Sequence, residues 1–582
     1  MKFPLLSIPS ALASIGLLAA SLAARAESAA DIAFEKLAHT AIEEYLATYP
    51  ENATKLGDHR YDDRFTDYST AVRSNYEAAL RHDLAELAKL DASKLTGPNR
   101  IDAQILKLNL ESNLFDLTEE RGFEWNPLYY NPSLGDGVYV FIAREFAPAG
   151  QRVPNLIKRL NEMPRVIEQV KATLKNPPRI HTETAIKQTA GAINLITTGF
   201  DELVGKVPSS KSDFAAAQTK ALVALRDYQH WLEKDVLPNA NGDFRLGAER
   251  FRKKLRFAFD SDLGPEEILR RAENELAVTT DKLYATAASL YPKYFPNADA
   301  AALNDRRKVI RAVFDKLAEK HADDSTVVAR AKEITDDATQ FVRQHNFVTV
   351  PDTPLKVIEQ PEFQRGVAIA YCDQPGALEP NGETYYSVAP TPADWTPQRK
   401  LSFFREYNDY MLHDLTVHEA MPGHYLQLAH ANQFHAPTLV RAVWMSGTFV
   451  EGWAVYAEQL MANTGFGGPE VKMQQLKMRL RVTINSILDQ KIHTAGMTEK
   501  EALDLMMQRG FQEEGEAVGK WRRACQGSTQ LSTYFVGAIE HDDMRAAAEK
   551  KEGAAFDLKR YHDRILSFGS PAVKYVREEL GY

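Results

Sequence analysis

Cysteine is nearly absent. The 582 residues hold Cys372 and Cys525 alone. Two such residues are free to pair, but they make neither a disulfide framework nor a CxxC zinc site. A positive excess is missing too: 70 basic residues face 79 acidic ones, for a formal charge of −9, and no long basic run stands out. Such a chain is a poor match for a phosphate backbone, so nucleic acid is not an expected partner. Beyond the N-terminus no apolar stretch is long enough to span a bilayer. There is no G-x-S-x-G nucleophile elbow and no G-x-x-x-x-G-K-[ST] phosphate loop, which removes the usual serine hydrolases and P-loop enzymes. No fixed internal repeat appears, which excludes a solenoid.

What remains is an ordinary globular composition, 44% hydrophobic and 26% charged. It is incompatible with a disordered or collagenous chain. The first residues read as an export signal. Lys2 is followed by an apolar run through Leu12, Ile15, Leu17 and Leu18, then by Ala24-Arg25-Ala26 before Glu27. Cleavage is expected after Ala26, leaving residues 1–26 as a signal peptide and a periplasmic or secreted product. Removing Lys2 and Arg25 takes the charge from −9 to −11. No cysteine lies near that site, so a lipid anchor there is not expected, nor is membrane attachment after cleavage.

Residues 27–345 carry mostly amphipathic helical patterning. Leu156, Ile157, Leu160, Met163, Val166 and Ile167 recur at three-to-four spacing. Gly264-Pro265-Glu266-Glu267 is a helix start, because proline lacks only an N–H that would be unpaired there and the acids suit the positive helix end. Residues 346–582 differ. Short β-like runs lie at Phe347–Val350, Leu355–Ile358, Val367–Tyr371 and Thr384–Val388, punctuated by prolines and glycines. They predict a small sheet embedded in a helical protein. Helix resumes near Pro397.

The chemistry concentrates in the histidines. Five of the 15 fall between residues 413 and 435. Among them is His418-Glu419-Ala420-Met421-Pro422-Gly423-His424, and downstream comes Glu451-Gly452-Trp453-Ala454-Val455-Tyr456-Ala457-Glu458. Zinc hydrolysis needs three protein ligands, an open position and a base for the water. His-Glu-x-x-His supplies two ligands on one helix face, but here the second histidine stands six residues on. On a straight helix the pair would diverge by about 120°. Pro422 removes a helical hydrogen bond and Gly423 accepts unusual dihedrals, so a break there is expected to bring His424 back beside His418. Glu451 is the candidate third ligand, Glu419 the candidate base and Glu458 a candidate partner behind a ligand. His413, His430 and His435 read as surface or packed residues, and Cys372 as a small buried one.

These segments resemble the bacterial family catalogued as domain of unknown function 885, placed among zincin-type metallopeptidases. The similarity is carried by His418–Gln427 and by Glu451-Gly452-Trp453-Ala454-x-Tyr456-x-Glu458. It extends to Ala53-Thr54-x-x-Gly57, Tyr61-Asp62-Asp63, Gly382 with Tyr385-Tyr386, and Tyr534-x-x-Gly537. It implies a mainly α, zincin-like fold of gluzincin type, with a small β-sheet beside the active-site helix and a deep cleft walled by residues 27–345. It implies zinc on His418, His424 and Glu451, with Glu419 as general base. Arg523 and Tyr534 hold the places of a family Arg and Tyr and are candidate catalytic donors to an oxyanion. The Pro-Gly usual between them is here Ser528-Thr529. The expected function is an exported zinc peptidase acting on short peptides. An amidase or esterase on other substrates and a non-catalytic metal-binding helical protein stand as alternatives. The strand Thr384–Val388 is expected to align a peptide by adding it as a further strand.

Overall fold

The computed structural model describes residues 28–360, 369–379 and 382–582. The expected signal peptide lies outside them, as do Val367 and Ala368. Most described residues are helical, with one three-stranded sheet. The helices that frame the site are α1 (Pro265–Tyr294), α2 (Asp409–Glu419), α3 (His424–Ala431), α4 (Gly447–Asn463), α5 (Gly468–Ala495), α6 (Glu514–Gln526) and α7 (Thr533–Glu552).

Periodicity becomes packing in the expected way. Leu156, Leu160, Met163, Val166 and Ile167 are buried along one helix, Ala149–Thr173. In α1, Pro265 opens the helix after Gly264, and Ile268, Ala272, Leu276, Leu283, Ala287 and Leu290 form one buried stripe. That stripe packs on α5, which is buried on nearly every face. A helix so enclosed must satisfy its polar side chains internally. Accordingly Arg479 pairs with Glu275 at 2.9 Å and Asp542 at 3.2 Å. Lys477 and Arg481 share Glu406 at 2.9 and 3.0 Å. No helix among the described residues is long and apolar enough to cross a membrane.

The strands are β1 (Leu355–Glu359), β2 (Ala370–Asp373) and β3 (Thr384–Val388), in the order β1-β3-β2. β3 runs parallel to β1 and antiparallel to β2. Two expectations are corrected. Phe347–Val350 is not a strand: Phe347 and Val348 are buried in the core, the Phe347 N–H returns to Val342, and the Thr349 N–H is taken by Asp563 at 2.8 Å. Side chains and a helix end serve its backbone, leaving none for a ladder. β3 cannot take up a peptide as an added strand, because both its edges are already paired. Among the described strands the edge on the side of the candidate base belongs to β2.

The apolar clusters cross the expected boundary at residue 345. One joins residues 246–317 to residues 473–539, and another joins Phe34, Leu46 and Leu106 to Val440, Ala572 and Tyr575. A buried ion pair, Arg441 Nε to Asp102 Oδ1 at 2.6 Å, clamps the same interface, with Thr438 donating to the other Asp102 oxygen.

Candidate metal centre

The break in the histidine motif is a turn between two helices. α2 ends at Glu419 and α3 begins at His424. The intervening N–H groups close onto the end of α2: Ala420 to Thr416 O at 2.9 Å, Met421 to the same carbonyl at 3.3 Å, and Gly423 to Val417 O at 2.9 Å. The Met421–Pro422 bond is cis. Gly423 lies so close to α2 that a Cβ there would stand 1.9 Å from the His418 carbonyl oxygen. Only glycine permits this approach. The result folds six residues back on themselves, and the two imidazoles meet edge to face with centroids 4.6 Å apart. The indole N–H of Trp453 donates to Pro422 O at 2.8 Å and fixes the turn from α4.

The third group arrives on α4. Gly452 of α4 meets Gly537 of α7 so closely that a Cβ on Gly452 would stand 2.4 Å from the Gly537 carbonyl carbon. This crossing sets Glu451 at the histidines and brings Tyr534, one turn before Gly537, to the same region. Glu451 Oε2 lies 3.5 Å from His418 Nε2 and 3.3 Å from His424 Nε2. That oxygen is buried and has no hydrogen-bond partner among the described residues. One ligand atom from each of the three residues falls within 4.8 Å of the others. A tetrahedral ion with bonds of about 2.05 Å holds neighbouring ligands about 3.3 Å apart, so these spacings and the His/His/Glu donor set fit zinc.

Behind His418, its Nδ1 meets Glu458 Oε1 at 2.6 Å, which directs Nε2 toward Glu451. Burial opposes a charge on His418, but Glu451 and Glu458 hold its pKa well above the usual histidine range. Burial likewise opposes ionisation of Glu451, yet the two imidazoles hold it well below the usual carboxylate range. Burial raises Glu458, and burial with the Glu458 charge raises Asp414 strongly. Asp414 stands four residues before His418, one helical turn away on the same helix face.

Glu419 faces the sheet. Its Oε2 accepts the Cys372 N–H at 2.9 Å. Successive strand N–H groups alternate sides, so this places Glu419 on the edge of β2 that turns away from β3. Burial and then Glu419 push the Cys372 thiol well up, which suits a packed residue rather than a nucleophile. Cys372 and Cys525 are both free. The Tyr386 hydroxyl and Thr416 Oγ1, 3.0 Å apart, tie β3 to α2.

Tyr534 and Arg523 adjoin the cluster without joining it. Burial raises Tyr534, and the Glu451 charge adds to that, with Arg523 opposing. Arg523 is exposed on α6 and donates to Gln530 at 2.8 Å. The loop between them is held by Asp489, which accepts the Thr529 and Ser532 N–H groups at 2.9 and 3.1 Å. Thr529 has φ of 68°, a conformation that favours glycine. Two of the remaining histidines of the run serve structure: His413 Nδ1 contacts Asp409 O at 2.6 Å and His430 Nε2 contacts Thr349 O at 2.7 Å.

Two solved structures share this architecture. A candidate lipoprotein of unknown function from Shewanella oneidensis is 31% identical, with a TM-score of 0.81 over 94% of this chain and 100% of that one. A candidate lipoprotein from Colwellia psychrerythraea, 17% identical, superposes with a TM-score of 0.78 over 95% and 99% of the two chains. A search of curated proteins finds no match. The sequence profile described as "Bacterial protein of unknown function (DUF885)" matches residues 50–580, and the chain therefore belongs to that family.

Proposed function

We propose that the protein is an exported, zinc-dependent peptidase that hydrolyses short peptides. The observation that carries this reading is the unpartnered, buried Glu451 Oε2 set 3.5 and 3.3 Å from two imidazole nitrogens, next in sequence to whose first histidine stands Glu419. On this reading the fold is a helical zincin whose α2–α3 turn replaces the unbroken helix of His-Glu-x-x-His, and the helices around it wall a cleft. The lipoprotein descriptions of both solved relatives support export.

His418, His424 and Glu451 would hold the ion, which supplies Lewis acidity toward a water and the scissile carbonyl. The chain does the rest. Glu419 accepts a proton from the attacking water and returns it to the amide nitrogen as the C–N bond breaks. The water oxygen ends in the new carboxylate, and the other product is an amine. Tyr534 is the donor suited to the developing oxyanion, since its hydroxyl is half-buried beside Glu451. A site that only stores metal has no use for a base, and this favours catalysis.

Elemental analysis of the purified protein, paired with a peptide-library digest read by mass spectrometry, tests the proposal. About one zinc per chain and chelator-sensitive cleavage of amide bonds are expected. Bound metal with no cleavage of any peptide would leave the storage reading. Cleavage of esters or non-peptide amides alone would leave the alternative hydrolase.

A further inference from the structure

Beside the candidate metal centre lies a group of cations that outnumbers the carboxylates paired with it among the described residues. Four cations gather where α5 meets α6: Lys477, Arg481, Lys520 and Arg523. Glu406 pairs with Lys477 and Arg481, and Glu516 stands 3.5 Å from Arg481. Two acids thus serve two bases, which leaves Lys520 and Arg523. Neither has a carboxylate within ion-pair distance among the described residues. Lys520 also has no hydrogen-bond partner there, and Arg523 donates to the neutral Gln530. The two stand three residues apart on α6, so they share one face.

An ammonium half-buried without a counter-ion is costly, and such groups are commonly kept for a ligand. The cost is visible: burial, then the charges of Arg481 and Arg523, push Lys520 down to about 7. The surplus also points the right way. Tyr534, on the helix that crosses the one carrying Glu451, feels the Glu451 charge and, in the opposite sense, Arg523, so Arg523 and the proposed metal site border the same tyrosine. The group that fits is an anion carried by the substrate, and every short peptide with a free end carries one. Arginine offers a planar fork to a carboxylate and lysine a point charge.

Building on the peptidase reading, we infer that Lys520 and Arg523 bind the C-terminal carboxylate of the peptide and make the enzyme a carboxypeptidase. Cleavage then falls near the C-terminus, and the released fragment carries the bound carboxylate.

The test uses the zinc-loaded full chain and pentapeptides that differ only in a free or amidated C-terminus. The free acid should be cleaved with kcat/KM about 10- to 100-fold above the amide, the difference lying mainly in KM. Lys520→Met should bring that ratio near one, and Lys520→Arg should keep most of it. Equal cleavage of acid and amide by the unaltered enzyme would overturn the inference, as would a Lys520→Met loss that leaves the ratio intact. A third peptide, amidated but carrying a glutamate, should be as poor a substrate as the plain amide. Cleavage of it at the free-acid rate would assign the cations to side-chain carboxylates and overturn the C-terminal role. Calorimetric binding of acid and amide to the Glu419→Gln protein separates this from the reading beneath it. If no peptide is ever cleaved, the peptidase proposal fails, yet a Lys520-dependent preference for the acid would still establish the carboxylate site.

Discussion

At the candidate metal centre three glutamates meet different partners, Glu451 the two imidazole Nε2 atoms, Glu458 the His418 Nδ1 and Glu419 the Cys372 N–H, and substitution should resolve their roles. Glu451→Gln replaces a charged donor facing two imidazoles, so bound zinc should fall sharply in elemental analysis. Glu458→Gln keeps a hydrogen-bond acceptor beside His418 Nδ1 but loses the charge, and zinc affinity should drop about 10-fold. Glu419→Gln should retain zinc and lose about 10²- to 10⁴-fold in turnover. Loss of zinc with an intact fold in that variant would make Glu419 a ligand instead. The meeting of His418 with His424 was legible because proline and glycine in a histidine motif announce where a helix must stop. Asp414 and Lys520 were not legible, since a lone acid or lysine gains meaning only from what lies opposite it. Nothing in the sequence says that Glu406 and Glu516 are spoken for.

Elements meet where side chains have been removed. α4 and α7 cross at Gly452 and Gly537, and the same contact fixes Glu451 and Tyr534 relative to each other. Gly537→Ala would place a methyl about 2.0 Å from the Thr448 carbonyl oxygen. It should destabilise by about 1–3 kcal/mol or more and lower zinc content with it, both measurable by thermal melting with and without added metal. The loop before α7 offers the opposite sign. Thr529 is a branched residue at φ 68°, held by Asp489, and Thr529→Gly should raise the melting temperature through relief of about 1 kcal/mol of backbone strain. The resemblance marked that position, since it implied Pro-Gly where Ser528-Thr529 stands. Helices were read well because their apolar stripes are long. The sheet was read less well, because an apolar run of four residues suits a buried coil as readily as a strand. Phe347–Val350 is the first, and only the topology shows that β3 has no free edge.

The molecule as a whole is bound together by clusters that ignore its linear order. α1, from the first half, packs on α5, from the second, and α5 carries Arg481 beside Lys520. Residues 346–582 expressed alone would bare the apolar face that α1 covers and should give no cooperative melt in circular dichroism. On the proposed reading, helices that wall the site would admit an extended chain and exclude a bulky one. Peptides of about 3–15 residues should be cleaved and a stably folded protein left intact, and comparable cleavage of both would count against a walled cleft. The clamp between Asp102 and Arg441, and the cluster that unites Phe34 with Tyr575, have a bearing on biogenesis. A ribosome or translocon delivers those partners at opposite ends of synthesis. The framework behind the three-residue cluster cannot close until nearly all of the chain has been threaded, so on the proposed reading ion capture would be a late event. A cell that exports the chain unfolded would thereby keep its own peptides out of reach of the proposed peptidase while making it.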